Sequence, residues 1–142
     1  MSKIETFKIE FPDYIHFPRE FSRFISYDSP TDRRMQSDVD YCFNDNEHVM
    51  YIESKTMGCS LQGQQRRNLS MRCKLDCYCA VVAYHERPSD KNYVEMVDGF
   101  NQVVGEYFWK GEWRNDKSGM NLKDFINWFF RTNWGHSSDF IK

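Results

Sequence analysis

The sequence predicts a single α/β domain with a central mixed sheet flanked by helices. Three observations carry this. The stretch from Asp40 to Lys55 reads DYCFNDNEHVMYIESK, two apolar runs around an Asn- and Asp-rich turn, which is the pattern of a β-hairpin. A polar helical stretch, 61–73, leads into the β-rich run DCYCAVVAYHE, as expected where a helix connects two strands of one sheet. Further on, Leu122, Phe125, Ile126, Phe129 and Phe130 recur at i, i+3, i+4, i+7 and i+8, a wide apolar face that should pack on that sheet.

Length and composition bound the rest. A chain of 142 residues, 40% hydrophobic and 17% aromatic, is long enough to bury a core as one domain. The formal net charge of −2 excludes a global basic field, so any nucleic-acid binding must be local. No long apolar run suits a membrane, and MSKIETFKIEF is not a leader of cationic and apolar regions, so a soluble, cytoplasmic protein without a membrane partner is expected. The five cysteines, Cys42, Cys59, Cys73, Cys77 and Cys79, are odd in number and read as reduced thiols.

In order along the chain, Phe7, Ile9 and Phe11 alternate with Lys8 and Glu10, a strand that Pro12 interrupts. Pro18 suits the first turn of a short helix, PREFSRFISY, with Phe21, Phe24 and Ile25 as its stripe. Residues 27–37 are rich in turn formers and carry Arg33 and Arg34, a phosphate contact or a solvated pair. The hairpin follows, with Tyr41 to Phe43 and Val49 to Ile52 as strands. After the loop TMGCS, Ser60 should cap the polar helix, whose apolar stripe of Leu61, Leu69 and Cys73 is thin. Its remaining positions, among them Gln64, Gln65, Arg66, Arg67 and Arg72, suit a surface facing phosphates.

Residues 93–113 read as a further pair of strands with Asp98-Gly99 as a tight turn. Their aromatics, Phe100, Tyr107, Phe108, Trp109 and Trp113, are either core or a base-stacking platform, and core is the commoner meaning. The amphipathic helix NLKDFINWFFRTNW closes the fold, with Trp128 and Trp134 extending its face or forming a partner surface, and the tail GHSSDFIK should fray.

The chemistry sits in the hairpin. Asp40 starts its first strand, and Glu53 and Lys55 close the second on one face, with Ser54 on the other. Two carboxylates and an amine then converge at one edge of the sheet. Such carboxylates call for a cation, and Mg²⁺ or Mn²⁺ suits an oxygen donor set. The ion would acidify a bound water that Lys55 orients or deprotonates. Asp38 shares the strand face of Asp40 and is either an auxiliary ligand or a supporting acid. The bland meaning of Glu53-x-Lys55 alone is a solvated ion pair.

The pattern Asp-x12-Glu-x-Lys resembles the active-site motif of the PD-(D/E)XK nuclease superfamily, over roughly residues 15–85. The resemblance implies a restriction-endonuclease-like fold with strand and helix order β-β-β-α-β. It implies a divalent-metal-dependent endonuclease, with DNA as the substrate. Asp40 takes the first acid, Glu53 the second and Lys55 the lysine, while Ser37 and Val39 stand where a proline often precedes that first acid. Glu20, on the helix before the hairpin, is either a further carboxylate for the metal or an exposed acid favoured by the helix dipole, and Gln64 or Gln65 either resembles the glutamine often found on the helix behind the lysine or is plain surface. Resolvases and restriction enzymes of this family cut two strands as dimers, so a homodimer is a partner the resemblance allows. Two other readings stay open. One is a phage-type module that has kept the fold and binds nucleic acid or protein without turnover. The other is a thiolate metal site on Cys73, Cys77 and Cys79, whose spacing suits zinc or an iron–sulfur cluster poorly.

Overall fold

A computed structural model describes residues 7–11, 41–86 and 95–142. Its elements are β1 (Phe7–Glu10), β2 (Tyr41–Asn44), β3 (Val49–Thr56), α1 (Gly63–Arg72), β4 (Tyr78–His85), β5 (Glu95–Asp98), β6 (Val103–Trp109), β7 (Glu112–Arg114) and α2 (Leu122–Asn133), with a single 3₁₀ turn at Gly99–Asn101. The architecture is α/β. Five strands form a mixed sheet in the order β2-β3-β4-β6-β7.

The hairpin is present as read. β2 and β3 pair antiparallel with Tyr41 opposite Ile52, and the turn between them is held by Asp45, whose Oδ1 accepts from the Glu47 and His48 N–H groups at 3.0 and 2.7 Å. β3 and β4 are parallel neighbours joined through α1, because parallel strands need a crossover of this length. Strand alternation then gives the sheet two different faces. Met50, Ile52, Cys79, Val81, Tyr107 and Trp109 point into a large core capped by Phe125, Ile126, Phe129 and Phe130 of α2. Ala80, Val82 and Phe108 point the other way, onto Leu69 of α1 and Cys73 at its C-terminal cap, in a smaller core.

Several expectations change. β5 and β6 do not pair with each other: β5 pairs with β1, parallel, as a separate two-stranded sheet, while β6 crosses to β4 and turns at Lys110-Gly111 into an antiparallel hairpin with β7. Asp98 caps the 3₁₀ turn, its Oδ1 accepting from Phe100 N–H at 3.0 Å, so Asp98-Gly99 is no two-residue hairpin loop. β1 likewise lies outside the five-stranded sheet, so among the described residues before α1 the main sheet takes β2 and β3 alone. The helix cap also shifts, from Ser60 to Gln62, whose N–H donates to Gln65 Oε1 at 3.1 Å. The tail is docked. Phe140 stacks on Phe130 with ring centroids 4.1 Å apart, Ile141 is buried, and its N–H and carbonyl bond both ends of the Asn127 amide at 2.7 and 3.0 Å. The aromatics of β6 are core: Tyr107, Phe108 and Trp109 are buried, as is Phe100.

β6 carries one irregularity that matters below. Val81 pairs with Tyr107 and Ala83 with Val104, so Gly105 and Glu106 together face the single residue Val82. A Cβ on Gly105 would lie 2.4 Å from the Tyr84 ring, which therefore needs glycine beneath it.

Candidate functional site

Glu53 sits on the face of β3 that α1 covers and is 2% exposed. A glutamate reaches this depth because Ile52 and Ser54 on either side are themselves buried and the strand has a neighbour on each side. Gln65 meets it there. The Gln65 Nε2 donates to Glu53 Oε1 at 3.1 Å while its Oε1 holds the first turn of α1, so both ends of one amide are committed. Lys55, two residues along the same face, is half-buried and lies beside Tyr84 in the parallel register. Burial and the Glu106 carboxylate raise the Tyr84 phenol above its ordinary value, and Arg66 opposes them.

The structure separates the other expected residues. Gln64 points outward, donating to Asn68 Oδ1 at 3.0 Å and accepting from Arg67 at 2.9 Å. Arg66 turns inward, paired with Glu106 on β6 and lying over the Trp113 ring at 4.7 Å. Trp113 in turn donates from Nε1 to Ser70 Oγ at 3.1 Å, which fastens β7 to α1. Arg67 and Arg72 are exposed, and the Arg72 guanidinium lies 5.6 Å over the Tyr51 ring. Asp40, Asp38, Glu20, Arg33 and Arg34 lie outside the described residues. Asp40 adjoins Tyr41 in the chain, and Tyr41 pairs with Ile52, the neighbour of Glu53.

An oxygen-ligated cation draws on one or two carboxylates, with waters and phosphates completing its shell. Among the described residues Glu53 shares its strand face with Lys55, and no group of three or more His, Cys, Asp or Glu is placed to hold a metal. That donor set is the low end of what Mg²⁺ uses. The thiolate alternative meets a geometric obstacle: Cys73 lies in the core beneath α1 and Cys79 in the core beneath α2, with the sheet between them. Burial pushes the Cys73 thiol up to about 12 and Cys79 well above its ordinary value, so both stay protonated.

Two groups of residues were not read from the sequence. Glu106 gave no signal, because its partner Arg66 is distant in the chain and the bulge that aims it is a property of pairing with β4. The second is a carboxylate between two imidazoles: His48 Nδ1 lies 3.0 Å and His136 Nε2 2.6 Å from Asp45 Oδ2. Only the Asp45-x-x-His48 half of it was legible, as a turn pattern. Beside it, a cleft of about 410 Å³ is lined by His48, Asp76, Cys77, Lys110, Asn133 and Trp134, apart from Glu53 and Lys55.

The fold and site define an α/β protein with a buried, amide-clamped glutamate on an interior strand of its sheet. In comparisons with known proteins, no family model, no curated protein and no solved structure matches this chain. Among the described residues, no helix is long and apolar enough to cross a membrane.

Proposed function

We propose that this protein is a divalent-metal-dependent phosphodiester hydrolase acting on nucleic acid, with DNA as the substrate and a restriction-endonuclease-like fold. The observation that carries the reading is the clamp of Gln65 on Glu53 with Lys55 on the same strand face. In this reading Glu53, with Asp40 before β2, holds Mg²⁺ or Mn²⁺. The bound ion supplies an acidified water and offsets negative charge on the phosphate. Gln65 keeps the Glu53 carboxylate in one orientation, a preorganisation that would otherwise cost side-chain entropy at each turnover. Lys55 donates a hydrogen bond that orients the attacking water. Arg67 and Arg72, both exposed, take flanking phosphates, while Arg66 works inside the protein, holding α1 against β6 through Glu106.

A second reading is favoured by one observation. A glutamate only 2% exposed is also what a purely structural clamp would look like, and then the same face binds nucleic acid or protein without turnover. Cleavage separates the two. Supercoiled, branched and single-stranded DNA should be cut with Mg²⁺ or Mn²⁺ and left intact in EDTA; binding without cleavage under every metal condition would establish the module instead.

A further inference from the structure

We infer that the C-terminal end of α1 and the adjoining strand ends form a platform for unpaired nucleotides, built on Tyr51, Tyr78 and Arg72, so that the substrate is a nucleic acid with a single-stranded segment. The inference rests on the hydrolase reading only for what happens at Glu53. Tyr51 and Tyr78 stand on neighbouring parallel strands on the α1 side of the sheet, with ring planes 5° apart and centroids 6.2 Å apart. Both are half-buried: they pack on the small core and keep ring surface toward solvent. The Arg72 guanidinium lies over Tyr51 at 5.6 Å.

The surroundings point to the same ligand. Met71 and Leu75, 64% and 65% exposed, are the large apolar side chains most open to water among the described residues, and they belong to this end of α1 and the loop after it. The Leu75 carbonyl accepts from Tyr78 N–H at 3.1 Å, which puts that loop directly against the tyrosine. Within residues 67–78 the exposed charged side chains are Arg67, Arg72, Lys74 and Asp76, three cations to one acid. Aromatic faces and apolar side chains beside a cluster of cations match a polyanion whose bases are free to stack; a duplex hides its base faces and needs only the cations. Tyr51, Glu53 and Lys55 follow one another on a single face of β3, at about 7 Å per two-residue step, so a base stacked at Tyr51 brings its phosphate toward Glu53.

The test is binding of labelled oligothymidylate and of a blunt duplex of equal length, by fluorescence anisotropy in Ca²⁺ so that nothing is cut. Wild type should prefer the single strand. Tyr51→Leu and Tyr78→Leu should each weaken single-strand binding about ten-fold and change duplex binding by less than about two-fold, in line with the loss of one stacked base. Arg72→Gln should weaken both and flatten the salt dependence. Because Tyr51 also packs on the core, a second measurement uses the unaltered protein: photo-crosslinks from 5-iododeoxyuridine in the oligonucleotide should map to Tyr51 or Tyr78. Equal affinity for both nucleic acids, crosslinks confined to other residues, or no nucleic-acid binding at all, which would assign the patch to a protein partner, overturns the inference. Single-strand binding that persists in a protein unable to cut supports the platform and removes the hydrolase reading alone.

Discussion

The Gln65 amide joins two elements at once: Nε2 donates to Glu53 Oε1 at 3.1 Å on β3, and Oε1 accepts the Gln62 N–H at 3.1 Å at the start of α1. Replacing it removes a donor from a buried carboxylate and an acceptor from a helix terminus. Gln65→Leu should therefore lower stability by about 2 kcal/mol, seen as a smaller urea midpoint at unchanged slope. Gln64→Leu, which touches only the outer surface of α1, should cost less than about 0.5 kcal/mol. Equal effects from the two would mean that the clamp does not organise this face.

Gly105 and Tyr84 are coupled through space. Gly105→Ala puts a Cβ 2.4 Å from the ring, and the strain should cost about 1–3 kcal/mol. Tyr84→Ala in the same chain should remove most of that penalty. A double-mutant cycle in thermal or urea unfolding measures the interaction directly, and additive single effects would contradict the close approach.

Asp45 sets a pH dependence. Burial pushes its carboxyl up, but hydrogen bonds from His136 and His48 and from the Glu47 and His48 N–H groups outweigh that and hold it well below the usual carboxylate range. A carboxyl depressed on folding contributes stability that is fully present above its unfolded value, about 4, and is lost as pH falls through the folded one. Wild type should thus exceed Asp45→Asn in stability at about pH 5, and the margin should shrink as the solution is acidified further. Urea midpoints taken across that range check it; a margin that grows on acidification would reverse the sign.

The docked tail gives another test. Asn127→Ala leaves the buried Ile141 N–H and carbonyl without their partner amide, which should cost about 2 kcal/mol. It should also speed amide exchange in residues 135–142 selectively. Uniform exchange in wild type across that segment and free ends elsewhere would restore the frayed tail expected from the sequence.

Local pattern explains what was legible. The hairpin, α1 and α2 follow from alternation, turn residues and helical spacing within a dozen or so neighbouring positions, and Glu53 and Lys55 share a face simply because they are two apart on a strand. The docking of the tail was hidden, since GHSSDFIK is polar and its anchor, Asn127, is one amide on the buried side of α2. Sheet order was hidden for a related reason: Val103–Trp109 is equally suited to pairing with β5 or with β4, and only burial of Tyr107 and Trp109 against Phe129 selects β4. The same long-range pairing aims Glu106 at Arg66, so a doublet that reads as two phosphate contacts divides into one inward and one outward arginine.

The most direct test of the hydrolase reading compares Lys55→Ala with Glu53→Gln. If Lys55 acts on the attacking water and Glu53 holds the ion, Lys55→Ala should lose cleavage by about 100-fold or more while its Mn²⁺ affinity by calorimetry stays within about two-fold of wild type. Glu53→Gln should lose both. Cleavage by Lys55→Ala at the wild-type rate, or Mn²⁺ binding by Glu53→Gln as tight as wild type, would contradict the account.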